Sequence, residues 1–191
     1  MRREARFDLA RRVRDPGGAP LGEVMTFMSG LYFRGKLAYA RAFAAPPDPA
    51  CPVTRDGVLV IAPGAGLKPA AAAVSLRELT AFARVDVAAD NPRYRRPLLA
   101  AARTVAARIG DDCDVVLLGS IASDRYVEPL VRVFGQRLKF PAAFVGRGDM
   151  SRGGLLLRCV TAGTELEYLA VAGAVRHGAR PPRLSPMRWT T

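Results

Sequence analysis

Residues 114–158 carry the pattern that most constrains the fold, an alternation of short apolar runs with stretches rich in glycine, serine and arginine. The apolar run 115–118 leads into the small-residue turn 119–124 and then into an amphipathic helical pattern, Tyr126 to Phe134. A second apolar run, 138–145, precedes four glycines within nine positions, 146–154. Free backbone N–H groups collect where strands of α/β proteins end in such turns. The pattern therefore predicts an α/β protein with an anion-binding edge.

Local signals predict the remaining elements of the fold. The continuous apolar run 57–63 predicts a buried central strand. Capping-box spacing at Ser75 and Glu78 predicts a helix from Leu76 to Arg84, and Asn91-Pro92 predicts a helix over 92–109. The runs 155–160 and 165–171, on either side of a Thr-Ala-Gly-Thr turn, predict a β-hairpin. We therefore expect a three-layer Rossmann-like α/β fold, with a mostly parallel sheet flanked by helices and a C-terminal antiparallel β-hairpin.

Residues 21–45 carry a helical pattern that Gly30 and Gly35 interrupt. Either these glycines allow close packing, or they split the helix. Within the segment, Tyr32-Phe33 is followed by Arg34 and Lys36. Such a group suits a surface that stacks a base and pairs its phosphate. The alternative is a pair of core aromatics with cations extending to solvent.

The length of 191 residues suits one domain, with charged extensions at both ends. We predict a basic N-terminal arm at 1–20, a single α/β domain at 21–175, and an extended or disordered basic tail at 176–191. The segment 22–45 contains three cations, so we expect neither a membrane span nor a membrane partner. The charged start lacks the apolar region of a secretory signal. No CxxC pair is present among three cysteines, which favours a reduced, cytoplasmic protein.

The net charge of +12 comes almost entirely from arginine, which pairs bidentately with phosphate. Nucleotides and nucleic acids are therefore favoured partners, although an arginine- and alanine-rich composition can also lack any binding role. The only histidine, His177, leaves a zinc site short of ligands and nearly excludes a Ser-His-Asp triad. Glu165 and Glu167 share a face of a predicted strand, where they could hold magnesium or simply be solvated. We assign no metal-binding residue and leave the cofactor open.

The two turns of the organising segment supply the candidate site residues. Asp149 and Asp124 are the candidate catalytic carboxylates, with Asp149 preferred for acid–base work or for orienting a ligand. The predicted ligand-binding residues, chosen for backbone access, hydroxyl donors or positive charge, are Gly119, Ser120, Ser123, Arg147, Gly148, Ser151, Arg152 and Gly153. Alternatively, Ser120 and Ser123 cap the next helix, and an Arg147–Asp149 or Asp149–Arg152 ion pair locks a structural loop.

Three functions are compatible with this pattern. In the preferred hypothesis the protein binds a phosphorylated small molecule, most naturally a nucleotide, at the loops after the strands. This hypothesis leaves open whether the protein is also an enzyme that acts on the ligand without a His- or Cys-based metal site. In the alternative it is a non-enzymatic RNA- or DNA-binding protein that uses the arm, the arginine-rich helix and the tail. In a third, the basic ends recruit a protein partner. The oligomeric state and the reaction stay open.

Overall fold

The computed structural model describes residues 7–184 of the chain. In chain order these residues form α1 (Asp8–Arg14), β1 (Ala19–Pro20), α2 (Leu21–Phe43), β2 (Leu59–Ala62), β3 (Gly66–Pro69), β4 (Ala73–Val74), α3 (Leu76–Ala83), α4 (Pro92–Ile109), β5 (Val115–Val116), α5 (Asp124–Phe134), β6 (Leu138–Pro141), α6 (Asp149–Ala162) and β7 (Tyr168–Ala170). Short 3₁₀ turns at 135–137 and 142–144 flank β6.

The strands form three small sheets within the described chain, instead of one large sheet. β1 pairs with β4 and β2 with β3, both antiparallel, while β5, β6 and β7 form a three-stranded sheet. The prediction of a three-layer Rossmann-like fold with a mostly parallel sheet is therefore wrong. One parallel unit does exist, because β5 and β6 run parallel and α5 connects them. β6 is the middle strand of its sheet, and Pro141 is its last residue.

The run 57–63 forms the first strand of a hairpin and not the centre of a parallel sheet. Val58 and Val60 belong to a smaller core that also contains Val13, Val24 and Val74. Leu59 and Ile61 instead pack against a larger core, formed mainly by α4, α5, α6 and β6. Because both faces of β2 are covered, the strand is apolar throughout, as a central strand would be.

The C-terminal β-hairpin is also a wrong prediction, since residues 155–160 lie in α6. This helix begins at Asp149, so most of the expected glycine-rich loop 146–154 is helical as well. It ends at Gly163, whose φ of 62° is the left-handed conformation common after helices. β7 pairs antiparallel with β6, with Leu169 opposite Phe140.

Helix α6 packs directly against α2 through two glycines. A Cβ at Gly35 would lie 2.6 Å from the carbonyl oxygen of Gly153, and a Cβ at Gly153 would lie 2.8 Å from the Cα of Tyr32. The two backbones therefore approach more closely than any side chain would allow. Gly30, with φ 65° and ψ −145°, interrupts α2 before this contact. Gly30 therefore splits the helix, whereas Gly35 allows close packing.

The helices with clear capping signals form where they were expected. Ser75 and Glu78 make a complete capping box at the start of α3, and the Asn91 side chain accepts the Arg93 N–H at the start of α4. Near the N-terminus, α1 buries Ala10 and Val13. The division into arm, domain and tail stays a prediction, and its outermost residues, 1–6 and 185–191, lie outside the described residues. Within residues 7–184, no helix combines the length and apolarity needed to cross a bilayer.

Candidate functional site

The two segments singled out by the sequence lie at the same edge of the three-stranded sheet. The turn 119–123 follows β5, and the segment 142–148 follows β6 and leads into α6. Because β5 and β6 are parallel, their carboxyl ends point to one edge. The structure therefore brings the two candidate segments together, even though the sheet is far smaller than expected.

Tyr32, on α2, joins the two segments. Its hydroxyl lies 3.0 Å from the carbonyl oxygen of Leu118 and 3.2 Å from that of Gly119, and donates to this pair. Burial raises the pKa of Tyr32 to about 12, while a hydrogen bond from Arg152 opposes the rise. The hydroxyl is therefore protonated at neutral pH and holds the β5 turn against α2 and α6.

Arg152 is a buried side chain, only 7% exposed, and much of its hydrogen-bonding capacity is used within the protein. Its Nε and Nη2 atoms donate to the carbonyl oxygen of Phe144 at 3.3 and 3.0 Å. The guanidinium also lies 5.1 Å from the centre of the Phe144 ring and 3.7 Å from Asp149. This Asp149–Arg152 contact is the ion pair of the structural alternative. A ligand-binding role for Arg152 stays a prediction.

Lys36, one turn after Tyr32 on α2, also lies at this site. Its Nζ atom is 4.3 Å from the centre of the Tyr32 ring and 5.0 Å from that of Phe33. Burial lowers the pKa of Lys36, Asp149 opposes this effect, and the charge of Arg152 adds to it. The aromatic pair followed by cations was the sequence signal for this residue, but nothing local indicated that it faces α6.

Arg147 and Ser151 are the predicted ligand-binding residues best placed to meet an anion. The Arg147 Nη1 atom donates to the Ser151 hydroxyl at 3.3 Å, across the first turn of α6. The Arg147 Nε atom is buried and has no hydrogen-bond partner in the described part of the chain. Gly148 is the N-cap residue of α6 and provides no capping side chain, so the first N–H groups lack an intrahelical acceptor.

The two candidate catalytic carboxylates occupy equivalent positions at the starts of different helices. Asp149 lies in the first turn of α6 and Asp124 in the first turn of α5, where negative charge offsets the helix dipole. Asp124 pairs with Arg176 at 3.3 Å, whereas Asp149 pairs with Arg152. Both side chains are mostly exposed. Their catalytic roles stay predictions.

The remaining predicted residues make contacts within the protein. Ser123 is the N-cap residue of α5, but its side chain does not cap the helix and instead accepts the Arg125 Nε–H at 2.8 Å. Ser120 offers its carbonyl oxygen to the Ser123 N–H at 3.5 Å. Gly153 is a contact point for α2, as described above. These serine and glycine residues therefore have roles in packing and turn geometry, and their ligand-binding roles stay predictions.

The chain after β7 returns to cover both segments. Arg176 donates to the carbonyl oxygen of Ile121 at 3.0 Å. Residues 178–179 lie against the loop before α6, where a Cβ at Gly146 would be 2.0 Å from the carbonyl oxygen of Ala179. The described part of the predicted tail, 176–184, forms neither helix nor strand. The returning chain therefore contacts both candidate segments.

Two further features lie away from this edge. A cavity of about 390 Å³ is lined by Arg41, Asp56, Val58, Ala70 and Ala71 and contains none of the predicted residues. Glu165 accepts a hydrogen bond from the Tyr168 hydroxyl at 2.7 Å, which in turn meets Tyr39. Among residues 7–184, no group of three or more His, Cys, Asp or Glu side chains is arranged to hold a metal ion.

The fold and the site define a mixed helix–strand protein in which small sheets support a cationic helix start. Comparison with protein-family models, with curated proteins and with solved structures finds no significant match. A functional conclusion therefore depends on the residues of the chain itself.

Proposed function

We propose that this protein binds a phosphorylated small molecule, most naturally a nucleotide, at the N-terminus of α6. The observation that carries the proposal is the Arg147 side chain, which crosses an uncapped helix start while its Nε–H lacks an acceptor. A phosphate group placed there would accept from the guanidinium, from the Ser151 hydroxyl and from free backbone N–H groups. Helix N-termini and arginine are the usual partners of phosphate in proteins.

Surrounding charges support an anion at this position. Lys36 is close enough to Asp149 and Arg152 for both charges to act on its pKa, which Asp149 raises and Arg152 lowers. Two cations thus face one carboxylate behind the helix start, and the excess positive charge lies in a partly buried environment. An anion bound at Arg147 would complete the charge balance of this cluster. We assign no reaction, and Asp149 is the group that we propose to orient the ligand.

The three free cysteines also lead us to propose a reducing, cytoplasmic location. This part of the proposal is independent of the ligand. It is supported only by the use of cysteine, since Cys51, Cys113 and Cys159 form no disulfide in the structure.

Isothermal titration of the full chain with inorganic phosphate, AMP and ADP tests the binding site. Arg147→Ala should weaken binding by about 10- to 100-fold, because hydrogen bonds to charged groups contribute about 1.5–3 kcal/mol. Arg103→Ala is the matched control, since it removes the same charge from the exposed face of α4. Equal losses in the two variants, or no binding of any phosphate compound to the wild type, would contradict the proposal.

A second candidate function, nucleic-acid binding, is favoured by the exposed face of α4. Arg93, Arg96 and Arg103 are all exposed and, at 3.6 residues per turn, lie within about 80° of one another around the helix. Arg95 is not part of this stripe, because it forms an ion pair with Glu128 on α5. A row of unshielded arginines on one side of a helix can follow a phosphate backbone.

A further inference from the structure

Residues 51–54, Cys-Pro-Val-Thr, form a tight turn between α2 and β2. The carbonyl oxygen of Cys51 accepts the N–H groups of Thr54 and Arg55 at 3.2 and 2.8 Å. In this geometry the backbone N–H groups of Val53 and Thr54 also act on the Cys51 sulfur. Pro52 has no N–H of its own and fixes the backbone at the first position of the turn. Cys51 therefore occupies a position where serine, threonine or aspartate usually accepts backbone N–H groups.

The buried Thr54 hydroxyl is a second polar group in this turn. Thr54 is only 4% exposed, and within residues 7–184 its Oγ1 atom makes no hydrogen bond that satisfies normal geometry. The hydroxyl is close enough to the Cys51 sulfur to lower the pKa of that thiol. A thiol is a poor acceptor, whereas a thiolate is a strong one. Ionisation of Cys51 would therefore give the buried hydroxyl the acceptor that it lacks.

We propose that Cys51 is a reactive thiolate, activated by Thr54 and by the backbone of its turn, which hydrogen peroxide and other compact peroxides oxidise to a sulfenic acid. The thiolate sulfur attacks one peroxide oxygen, so an S–O bond forms as the O–O bond breaks. Sulfur is oxidised by two electrons, and the peroxide is the oxidant. The leaving hydroxide takes a proton from solvent and departs as water, leaving the sulfenic acid on Cys51.

A comparison of the three cysteines shows that solvent exposure alone does not distinguish Cys51. Cys51 and Cys159 are almost equally covered, at 8% and 9% exposure. Hydrogen bonds from Thr54 and the backbone lower the pKa of Cys51, with a smaller contribution from the charge of Arg108 on α4, whereas burial raises that of Cys159. Burial also raises the pKa of Cys113. Because thiolate character governs peroxide reactivity, Cys51 should react first.

Peptide mass spectrometry of the full chain tests the modification directly. The protein is treated with less than one equivalent of hydrogen peroxide in the presence of dimedone, which traps sulfenic acids. The expected result is a dimedone adduct on Cys51 that exceeds those on Cys113 and Cys159. An adduct level on either of these residues equal to that on Cys51, or no adduct on Cys51, would overturn the proposal.

Alkylation rates measured against pH test the role of Thr54. In the wild type, the iodoacetamide reaction of Cys51 should have a lower midpoint pH than that of Cys113. Thr54→Val, which replaces the hydroxyl by a methyl group, should raise that midpoint and slow the reaction at pH 7 by about tenfold, the effect of one pKa unit. Thr54→Ser should restore the rate, and an unchanged Cys113 rate reports an intact fold. If the wild-type midpoint is not lower, or if Thr54→Val has the Cys51 rate of the wild type, the inference is wrong.

Discussion

At the scale of single residues, the structure contrasts two buried polar side chains. Arg152 is buried with its charge opposite Asp149 and two of its nitrogens donating to Phe144. Tyr94, on α4, is fully buried, yet its hydroxyl has no hydrogen-bond partner in the described residues. A buried, unpaired hydroxyl loses its bonds to water without compensation, at a cost of about 1–3 kcal/mol. The first side chain therefore stabilises the edge of the sheet, whereas the second carries an energetic penalty.

Tyr94→Phe is expected to stabilise the protein by about 1 kcal/mol, because it removes an unpaired hydroxyl and keeps the aromatic ring in the core. Urea denaturation, with unchanged m-values, measures the difference. Tyr39→Phe is the matched control: the Tyr39 hydroxyl meets Tyr168 at 2.7 Å and accepts the Leu166 N–H at 2.8 Å, so its loss should destabilise. Stabilisation by both variants would show that hydrogen bonding is not the cause.

The Tyr94 variant also has a characteristic pH dependence. Burial raises the pKa of Tyr94 above its ordinary value of 10.0. A group whose pKa is higher in the folded state contributes stability that is fully present below the unfolded pKa and lost as pH rises above it. The wild-type free energy of unfolding should therefore fall from about pH 10 upward, and the advantage of Tyr94→Phe should grow over the same interval. A constant difference across this range would contradict the assignment.

At the scale of elements, the contact between α2 and α6 organises the candidate site. Gly35 and Gly153 let the two backbones meet, and this contact places Tyr32 and Lys36 next to Arg152. The adjacent glycines 153 and 154 are typical of a loop in the sequence, although only Gly153 lies at the close approach of α6 to α2. The neighbouring Gly154 has only the Leu184 side chain nearby, at 3.8 Å from an added Cβ.

Gly153→Ala and Gly154→Ala should therefore have effects of opposite sign. At Gly153 the new methyl group would lie 2.8 Å from the Tyr32 Cα and 3.0 Å from the Leu31 carbonyl oxygen, so the helices must separate. We expect a loss of about 1–3 kcal/mol, typical of overpacking. At Gly154 the methyl group fits, and alanine's better helix propensity should add about 0.5–1 kcal/mol. Thermal unfolding of both variants measures these changes in stability. Equal losses of stability in the two variants would contradict the prediction.

The starts of the helices explain which helices the sequence could predict. α3 and α4 begin with local hydrogen bonds, from Ser75 and Asn91, that their own sequence encodes. α6 has no capping side chain, contains two adjacent glycines and continues into a leucine run. Its local preferences therefore favour a loop followed by a strand. Contact with α2, more than a hundred residues earlier in the chain, stabilises the helix, and no local pattern contains that information.

At the scale of the whole molecule, two cores share one hairpin instead of lying on the two faces of one sheet. β2 contributes Val60 to the smaller core and Ile61 to the larger, so its composition is that of a central parallel strand. This ambiguity led to the wrong architecture. The sequence could predict that the two candidate segments lie close together, because the β5–α5–β6 unit places segments 119–123 and 142–148 at one edge. Tyr32 and Lys36 reach that edge only through the tertiary fold.

The distribution of the excess positive charge is also a property of the whole molecule. The chain has 29 lysines and arginines against 17 acidic residues. Several acidic side chains pair with arginines that hold elements together, as Glu128 does with Arg95 and Asp124 with Arg176. The exposed arginines of α4 make no such contact in the described chain, and they form a row on one face of that helix, whereas other exposed arginines, such as Arg41 on α2 and Arg77 on α3, lie on separate elements. If that face binds nucleic acid, binding should respond to salt and to these arginines but not to Arg147.

Fluorescence anisotropy with a short labelled DNA oligonucleotide tests this second function. Each phosphate contact contributes about one unit to the slope of log K against log salt concentration, so Arg96→Ala/Arg103→Ala should lower the slope by about 2. Arg147→Ala should leave that slope unchanged, while the double variant should leave AMP binding unchanged. The two sites would then be separate surfaces of one protein. The contradicting result is a slope that falls with Arg147→Ala but stays unchanged in the double variant. That result would show that the DNA binds at the start of α6 and not at the arginines of α4.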